Sequence, residues 1–156
     1  MENEIINCYE IKSGVNLTGA CLTEANLTGA CLTEANLTGV NLTGANLTGV
    51  NLIGANLTGV NLTEANLTGA DLTWVNLTGV NLTGVNLREA NLCGANLENS
   101  RLDWINLEDA NLQNANLENA DLFRAKLSGA KINIKWKDYI EEFSVIGFND
   151  IIWIEG

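Results

Sequence analysis

The chain has 156 residues, and its 19 acidic and 8 basic side chains give a net charge of −11. This length fits one domain around a single core. The negative charge disfavours direct binding to nucleic acid, because phosphate neutralisation needs clustered Lys and Arg. We therefore expect no direct contact with nucleic acid, although a DNA-binding protein could still be a partner.

The first residues, MENEIINCYE, do not combine a basic stretch with an apolar one, and no run of about 18 apolar residues occurs in the chain. Four cysteines, Cys8, Cys21, Cys31 and Cys93, form no CxxC pair, and the chain has no histidine. This pattern predicts free thiols and no metal site. The recurring Asn-Leu-Thr triplet would be glycosylated in a eukaryotic secretory pathway. We expect a bacterial protein that lies in the cytoplasm and not in a membrane.

Residues 1–14 precede a long repetitive region and carry the apolar side chains Ile5, Ile6, Tyr9 and Ile11. A stack of repeats exposes an apolar end unless a terminal segment covers it. We therefore predict that residues 1–14 form a short N-terminal cap.

Residues 15–134 repeat every five positions. Leucine occupies every fifth position from Leu17 to Leu127, and Ile132 extends the series. A small or medium apolar residue stands two positions before each of them, with Ser100 as the polar exception, and Asn or Asp stands directly before most. A period of five matches neither a helix nor an alternating strand, so the chain must turn once in every pentad.

Four such pentads close a square coil of about 20 residues, in which the leucine and the residue two before it both point inward. The frequent glycine two positions after the leucine suits a corner with a positive φ angle. The absence of proline leaves every backbone N–H available for bonds between coils. The sequence predicts an all-β fold, a four-sided parallel β-helix of about six coils and about 29 Å long.

Runs such as Ala25-Asn26-Leu27-Thr28-Gly29 resemble the A(N/D)LXX signature of the pentapeptide-repeat family. The resemblance covers about three quarters of the chain and implies a right-handed quadrilateral β-helix. Family members often alternate Leu with Phe at the central position, whereas no pentad here has Phe there. This departure predicts an unusually uniform, narrow core.

Residues 135–156 form the third segment. Four of its apolar residues have the i, i+3, i+4, i+7 spacing of an amphipathic helix: Trp136, Tyr139, Ile140 and Phe143. Gly147 is placed to end that helix, and a strand-like stretch with Trp153 follows. Two interpretations stay open, a lid on the last coil and a homodimer contact. The second is implied by the resemblance, because some members that protect DNA gyrase pair through C-terminal elements.

Catalysis is not expected. A chain without histidine has no Ser-His-Asp or Cys-His arrangement, and no GxxxxGK[ST] or GxGxxG loop occurs. A convex rod also offers no pocket in which paired acids could acquire shifted pKa values. We expect a protein that is not an enzyme and that needs no cofactor.

Acidic side chains concentrate in the later coils, together with two aromatic corner residues. They form the candidate partner surface: Glu98, Asp103, Trp104, Glu108, Asp109, Glu118 and Phe123. Arg124 falls one coil above Trp104, so a cation–π pair is a competing explanation for that tryptophan. Trp74 has Gly54 and Gly94 one coil to either side and could lie flat on the rod.

Three functions fit these features. The first is an interaction module that presents a stiff rod to a protein partner of unknown identity. The second is a DNA mimic that binds DNA gyrase, which the resemblance to Qnr-type members implies and the net charge favours. No loop interrupts the pentads here, unlike in those members, and this disfavours the DNA mimic. The third is binding of ice or another crystal through ladders of threonine.

Overall fold

Coils of 20 residues stack in register along the repetitive region. The structure is a computed structural model that describes residues 4–156, apart from the side chains of Glu4 and Ile5. Single parallel bridges join residues 20 apart, such as Asn16 with Asn36 and Asn76 with Asn96. Residues 1–3 of the predicted N-terminal cap lie outside the described residues. The predicted stacking of one pentad above the pentad 20 residues later is confirmed.

The longer regular elements lie at the two ends of the stack. They are β1 (Glu4–Ile6), β2 (Tyr9–Ile11), β3 (Asn111–Leu112), β4 (Lys131–Asn133), α1 (Lys137–Glu141) and β5 (Ile152–Ile154), with 3-10 turns at Ile134–Trp136 and Phe148–Asp150. Strands β1 and β2 pair antiparallel, and β3, β4 and β5 form a parallel sheet in that order. Side chains of the N-terminal hairpin, Ile6, Tyr9 and Ile11, pack against the core of the first coil.

The backbone of most pentads makes the same set of hydrogen bonds. The N–H of Leu77 donates to the carbonyl oxygen of Asn96 in the next coil at 2.9 Å. The N–H of Asn76 donates to Ala55 in the previous coil at 3.0 Å, and the N–H of Val80 closes the corner on Leu77 at 3.1 Å. Most sides are therefore bonded to the coils above and below them.

Both predicted inward positions are buried. The leucines of the pentads have at most 4% of their surface exposed, and nearly all of the small residues two positions earlier are buried too. Ser100, the polar exception, is 1% exposed and satisfied, because its hydroxyl donates to the carbonyl of Leu97 at 2.6 Å. No buried side-chain nitrogen or oxygen among the described residues lacks a partner.

The threonines form bonded ladders. In each Asn-Leu-Thr triplet the Asn Oδ1 accepts the Thr hydroxyl and the Thr N–H, at 2.6 and 3.1 Å for Asn56 and Thr58. Between coils, the Nδ2 of Asn66 donates to the Oγ1 of Thr48 at 3.2 Å. The hydroxyl protons are thus engaged inside the repeat, which disfavours ice binding because they cannot also be donated to a water lattice.

The corner residue two positions after each leucine adopts a left-handed backbone, as in Gly79 at φ +67°. Glycine accepts this geometry without strain, whereas other residues pay about 1–2 kcal/mol. The last two coils nevertheless hold six consecutive non-glycine corners with φ between 55° and 60°: Asn99, Trp104, Asp109, Asn114, Asn119 and Arg124. Most corners of the first four coils are glycine. Projecting side chains are therefore concentrated at the C-terminal end, and the strain falls mainly on Trp104 and Arg124, because Asn and Asp tolerate a left-handed backbone.

The helix of the C-terminal cap is shorter than predicted. It ends at Glu141, Trp136 lies in the preceding 3-10 turn, and Phe143 lies beyond the helix. Gly147 does not end it; with φ +80° it precedes the second 3-10 turn. The chain must turn early because Ile146 has to pair with Lys126 on the far side of the coil end.

Candidate partner-binding surface

The seven candidate surface residues lie on three successive corners of the last two coils. Five of them border one side of the rod, the side carrying Arg101 and, stacked on it, Asp121. Glu98 and Glu118 stand at the corner before this side, and Asp103, Trp104 and Phe123 at the corner after it. Glu108 and Asp109 belong to the next corner. A flat partner that covers the Arg101 side would therefore contact five of the seven.

Trp104, Phe123 and Arg124 form a stacked group that we call the Trp104 cluster. The rings of Trp104 and Phe123 meet edge to face with centroids 6.4 Å apart. The guanidinium carbon of Arg124 lies 4.9 Å from the Trp104 ring and 5.6 Å from the Phe123 ring. Trp104 is 51% exposed and Phe123 43% exposed. The predicted cation–π pair is present, and it leaves both rings open to solvent.

Three of the candidate acids already have partners within the rod, and Glu98 is one of them, since it accepts the Nδ2–H of Asn99 at 3.1 Å. A carboxylate oxygen of Asp103 lies 3.5 Å from the Nε of Arg101 and accepts the hydroxyl of Thr83 at 3.2 Å. Asp109 lies 3.6 Å from a guanidinium nitrogen of Arg88. Residues 95–134 carry six acidic and four basic side chains, a net charge of −2. The surface is thus mixed in charge and not a uniform acidic patch.

Trp74 occupies a corner by itself and is 64% exposed. Its ring lies over the next coil, so closely that a Cβ atom built on Gly94 would meet the ring at 2.4 Å. The prediction that this tryptophan lies flat on the rod is confirmed for the Gly94 side. Trp74 covers glycine backbone, in contrast to Trp104, whose ring meets an arginine.

Cys21 and Cys31 replace the usual Asn in the first coil, and all four cysteines are free. The sulfur of Cys21 lies 3.4 Å from the Oγ1 of Thr23, in the place where Asn Oδ1 otherwise accepts two hydrogen bonds. The Thr23 hydroxyl, and after it the Thr23 backbone, lower the pKa of the Cys21 thiol. Thr33 lowers the pKa of Cys31 in the same way.

The residues predicted to form a lid or a dimer contact lie across the end of the last coil. Ile140 is fully buried, and Trp136, Tyr139, Phe143 and Trp153 pack against the core. Three of them stack edge to face, Trp136 on Tyr139 at 5.8 Å and Tyr139 on Phe143 at 5.3 Å. Residues 135–156 therefore cover the coil end, and we call them the lid.

Side chains of the lid replace the backbone donors of a missing coil. The carbonyl of Ala115 would accept an N–H from a seventh coil, and it accepts the Nε1–H of Trp136 at 3.1 Å. The carbonyl of Ala120 likewise accepts the hydroxyl of Tyr139 at 2.7 Å. Burial of the ring, followed by the charges of Asp121 and Glu142, raises the pKa of Tyr139, so the donor keeps its proton.

On the other two sides the lid continues the ladder with its own backbone. The N–H of Ile146 donates to Ala125 and that of Ile152 to Ala130, both at 2.8 Å. All four carbonyls that a seventh coil would satisfy are thus bonded. The sequence predicted the apolar lid but not these hydrogen-bond donors, because residue spacing does not show where an indole N–H will point.

A family model of pentapeptide repeats matches eight copies of the repeat in overlapping segments that span residues 13–133. The chain belongs to the pentapeptide-repeat family. Members of this family are generally structural or interaction modules. No functionally curated protein matches the chain.

Solved pentapeptide-repeat structures show the same fold. HetL, which is involved in heterocyst differentiation regulation in the cyanobacterium Nostoc sp. strain PCC 7120, is 32% identical, with a TM-score of 0.66 over 91% of this chain and 70% of HetL. Rfr23 from the cyanobacterium Cyanothece 51142 is 28% identical, with a TM-score of 0.59 over 76% of this chain and 89% of Rfr23. The predicted right-handed quadrilateral β-helix with caps at both ends is confirmed.

QnrB1, a plasmid-mediated fluoroquinolone resistance protein, matches with a TM-score of 0.52 at 16% identity, over 91% of this chain and 76% of QnrB1. At that identity the pentapeptide-repeat fold is what the two proteins share. In the part of the chain that the structure describes, no helix is long and apolar enough to cross a membrane. The same residues contain no group of three or more acidic or cysteine side chains placed to hold a metal ion.

Proposed function

We propose that this pentapeptide-repeat protein is a non-catalytic interaction module that binds a protein partner through the Arg101 side and the Trp104 cluster. The observation that carries the proposal is a stacked pair of strained, exposed corner residues whose side chains contact each other; Trp74 has the same φ of 57° but stands alone over glycine backbone. Trp104 and Arg124 hold left-handed backbones at φ 57° and 55°, where glycine would be easier. Their side chains add little to the core, because Trp104 is half exposed and Arg124 is exposed. Strained, exposed residues of this kind cluster at functional sites.

Aromatic residues and Arg are enriched in protein interfaces relative to the rest of the surface. The regulatory role of HetL is consistent with an interaction module. A cytoplasmic location, inferred from the free cysteines, belongs to the same proposal.

We expect Trp104→Gly to abolish partner binding while the fold is kept. Glycine relieves the left-handed strain and offsets the lost ring contacts, so the free energy of unfolding should change by less than about 1 kcal/mol. The measurement is affinity capture from a bacterial lysate, read by mass spectrometry, with thermal melts of each variant. Trp74→Gly is the matched control, since it removes an exposed corner tryptophan from another edge of the rod. Equal capture by Trp104→Gly and wild type would exclude this surface.

The neighbouring acidic corner is tested separately. Charge reversal of Glu108 and Asp109 should leave capture intact if the partner covers the Arg101 side. Loss of capture in this variant alone would place the partner contact at the corner that carries Glu108 and Asp109.

The second candidate is a DNA mimic that binds DNA gyrase. The overall charge of −11 on a rod favours it. The mixed charge of the last two coils speaks against it, because a duplex mimic needs regularly spaced acid along its length. A DNA supercoiling assay decides: inhibition or protection of purified gyrase by this protein at micromolar concentration would establish the mimic.

A homodimer through the lid is a further part of the proposal. The lid and its junction expose three isoleucines to solvent at about half of their surface, Ile134 (48%), Ile146 (46%) and Ile152 (47%). Strand β5 also pairs on one edge with β4. An edge strand with exposed apolar side chains offers a place for a second copy.

A further inference from the structure

We propose that the Trp104 cluster recognises a carboxylate in a partner protein, within a segment where Asp or Glu stands next to large apolar side chains. This inference rests on the proposed function and adds the chemistry of the partner. It runs against the overall charge of the rod, which by itself would favour a basic partner. The local contacts around Arg124 reverse that expectation.

The guanidinium of Arg124 forms no ion pair with a carboxylate of the described residues. The ion pairs among the described residues involve Lys12, Arg88 and Arg101. Arg124 lies against the rings of Trp104 and Phe123 instead. A stacked guanidinium contacts the rings with its flat face, so its N–H edge stays free. That edge can donate two parallel hydrogen bonds to one carboxylate.

Two acids of the Arg101 side, Asp103 and Asp121, make other contacts. Asp103 is held by Arg101 and by the hydroxyl of Thr83. Asp121 accepts the N–H of Phe123 at 3.0 Å. Lys126, two residues after Arg124, is exposed and adds a second cation without an ion-pair partner among the described residues.

The cluster is also held in place before any partner arrives. Trp104 and Arg124 stand at equivalent corners of successive coils. The N–H of Trp104 donates to the carbonyl of Phe123 at 2.9 Å, and the guanidinium of Arg124 lies against the rings of Trp104 and Phe123. Fixing side chains in advance lowers the entropy lost on binding. Trp and Arg are the residue types that most often dominate binding energy at protein interfaces.

The two open rings define the rest of the partner segment. Trp104 and Phe123 together offer an apolar surface directly beside the Arg124 fork. A carboxylate on Arg124 would bring the adjacent residues of the partner onto these rings. An acidic and hydrophobic segment fits this surface, whereas a basic segment would place its cations against Arg124 and Lys126.

The test uses the full chain and three matched synthetic peptides with blocked ends. Each peptide has nine residues and contains Leu and Phe; the first also contains two Glu, the second has Gln in their place and the third has Lys. Nitrogen-15 NMR follows the Nε1–H of Trp104 and the Nε–H of Arg124 during titration. We expect the Glu peptide to shift both signals and to bind at least tenfold more tightly than the other two.

Arg124→Gln should weaken binding of the Glu peptide about tenfold or more. Arg88→Gln is the matched control: it removes the same charge from another corner and should leave the affinity unchanged. Melting curves of both variants confirm folding. An equal loss of affinity for the Glu peptide in the two variants would mean that only net charge matters, and it would overturn the proposal. Equal binding of the Gln peptide, or tighter binding of the Lys peptide, would overturn it too. Displacement of the Glu peptide by a short DNA duplex would assign the cluster to phosphate instead.

The inference and the proposed function can fail separately. If Trp104→Gly loses its captured partner but no Glu peptide shifts the Trp104 signal, the interaction surface stands and the carboxylate does not. If the Glu peptide binds but capture is unaffected by Trp104→Gly, the proposed function fails at this surface.

Discussion

Replacement of Leu77 by alanine should lower the free energy of unfolding by about 2–5 kcal/mol. Leu77 is 1% exposed in the fourth coil, and the backbones of Leu77 and Asn76 bond to the next and the previous coil respectively. The coil cannot collapse into the space that the lost methyl groups leave, because the ladder sets the spacing between coils. Denaturant unfolding followed by circular dichroism measures the change. A loss below about 0.5 kcal/mol would contradict the inward position.

Ile53→Thr is the control for this prediction. Ile53 stands at a corner position where most pentads have Thr, and its N–H donates to the Oδ1 of Asn51 at 3.1 Å. The substitution restores the common pattern and should change the free energy of unfolding by no more than about 0.5 kcal/mol.

The second large effect is expected at the lid. The double variant Trp136→Phe/Tyr139→Phe keeps both rings but removes the two donors, leaving the buried carbonyls of Ala115 and Ala120 without partners. Each orphaned group costs about 1–3 kcal/mol, so the loss of unfolding free energy should reach about 2–5 kcal/mol. Thermal and denaturant melts measure it. Phe143→Leu, which changes packing in the lid but no hydrogen bond, should cost less than about 1.5 kcal/mol.

The pH dependence of stability gives an independent reading of Tyr139. Its pKa is raised in the folded state, by burial first and then by Asp121 and Glu142. The unfolded chain therefore releases this proton first, and the stabilising contribution present below about pH 10 is lost as the pH rises further. Tyr139→Phe should show a shallower loss of stability above pH 10 than the wild type. Identical slopes of unfolding free energy against pH would mean that the Tyr139 hydroxyl contributes nothing to the pH dependence of stability.

Light scattering of the wild type and of Ile152→Lys tests whether the lid is a dimer contact. A wild-type mass of two chains that falls to one in Ile152→Lys, with an unchanged melting temperature, would support the homodimer. A single-chain mass at micromolar concentration would leave the lid as a cover alone.

The repetitive region was predictable because one rule explains all of its positions. Leucine every fifth residue and small residues two positions earlier define the inward side chains, and positions 20 apart stack as predicted. The path of the lid was not predictable in the same detail. The apolar spacing of residues 136–143 predicts a helix, but the length of α1 is limited by the width of the coil end and by the pairing of Ile146.

The candidate surface was predicted in composition and only partly in arrangement. Residue number alone places Trp104 under Arg124, and the contact is present. The sequence could not show that Asp103 forms an ion pair with Arg101, or that Arg124 and Lys126 form none with the part of the chain that the structure describes, since these contacts depend on side-chain rotamers. The useful signal was the presence of Arg at a corner and Lys at an Asn position, both departures from the repeat.

The regular stacking of this rod also restricts how its length can change. A side chain's direction around the axis depends on its residue number within a cycle of 20. Gain or loss of a whole coil would shift the Trp104 cluster along the axis and keep its heading relative to the N-terminal hairpin. Gain or loss of one pentad before Trp104 would instead rotate everything downstream by a quarter turn. A bivalent partner that contacts both ends of the rod would tolerate the gain or loss of a whole coil far better than the gain or loss of one pentad.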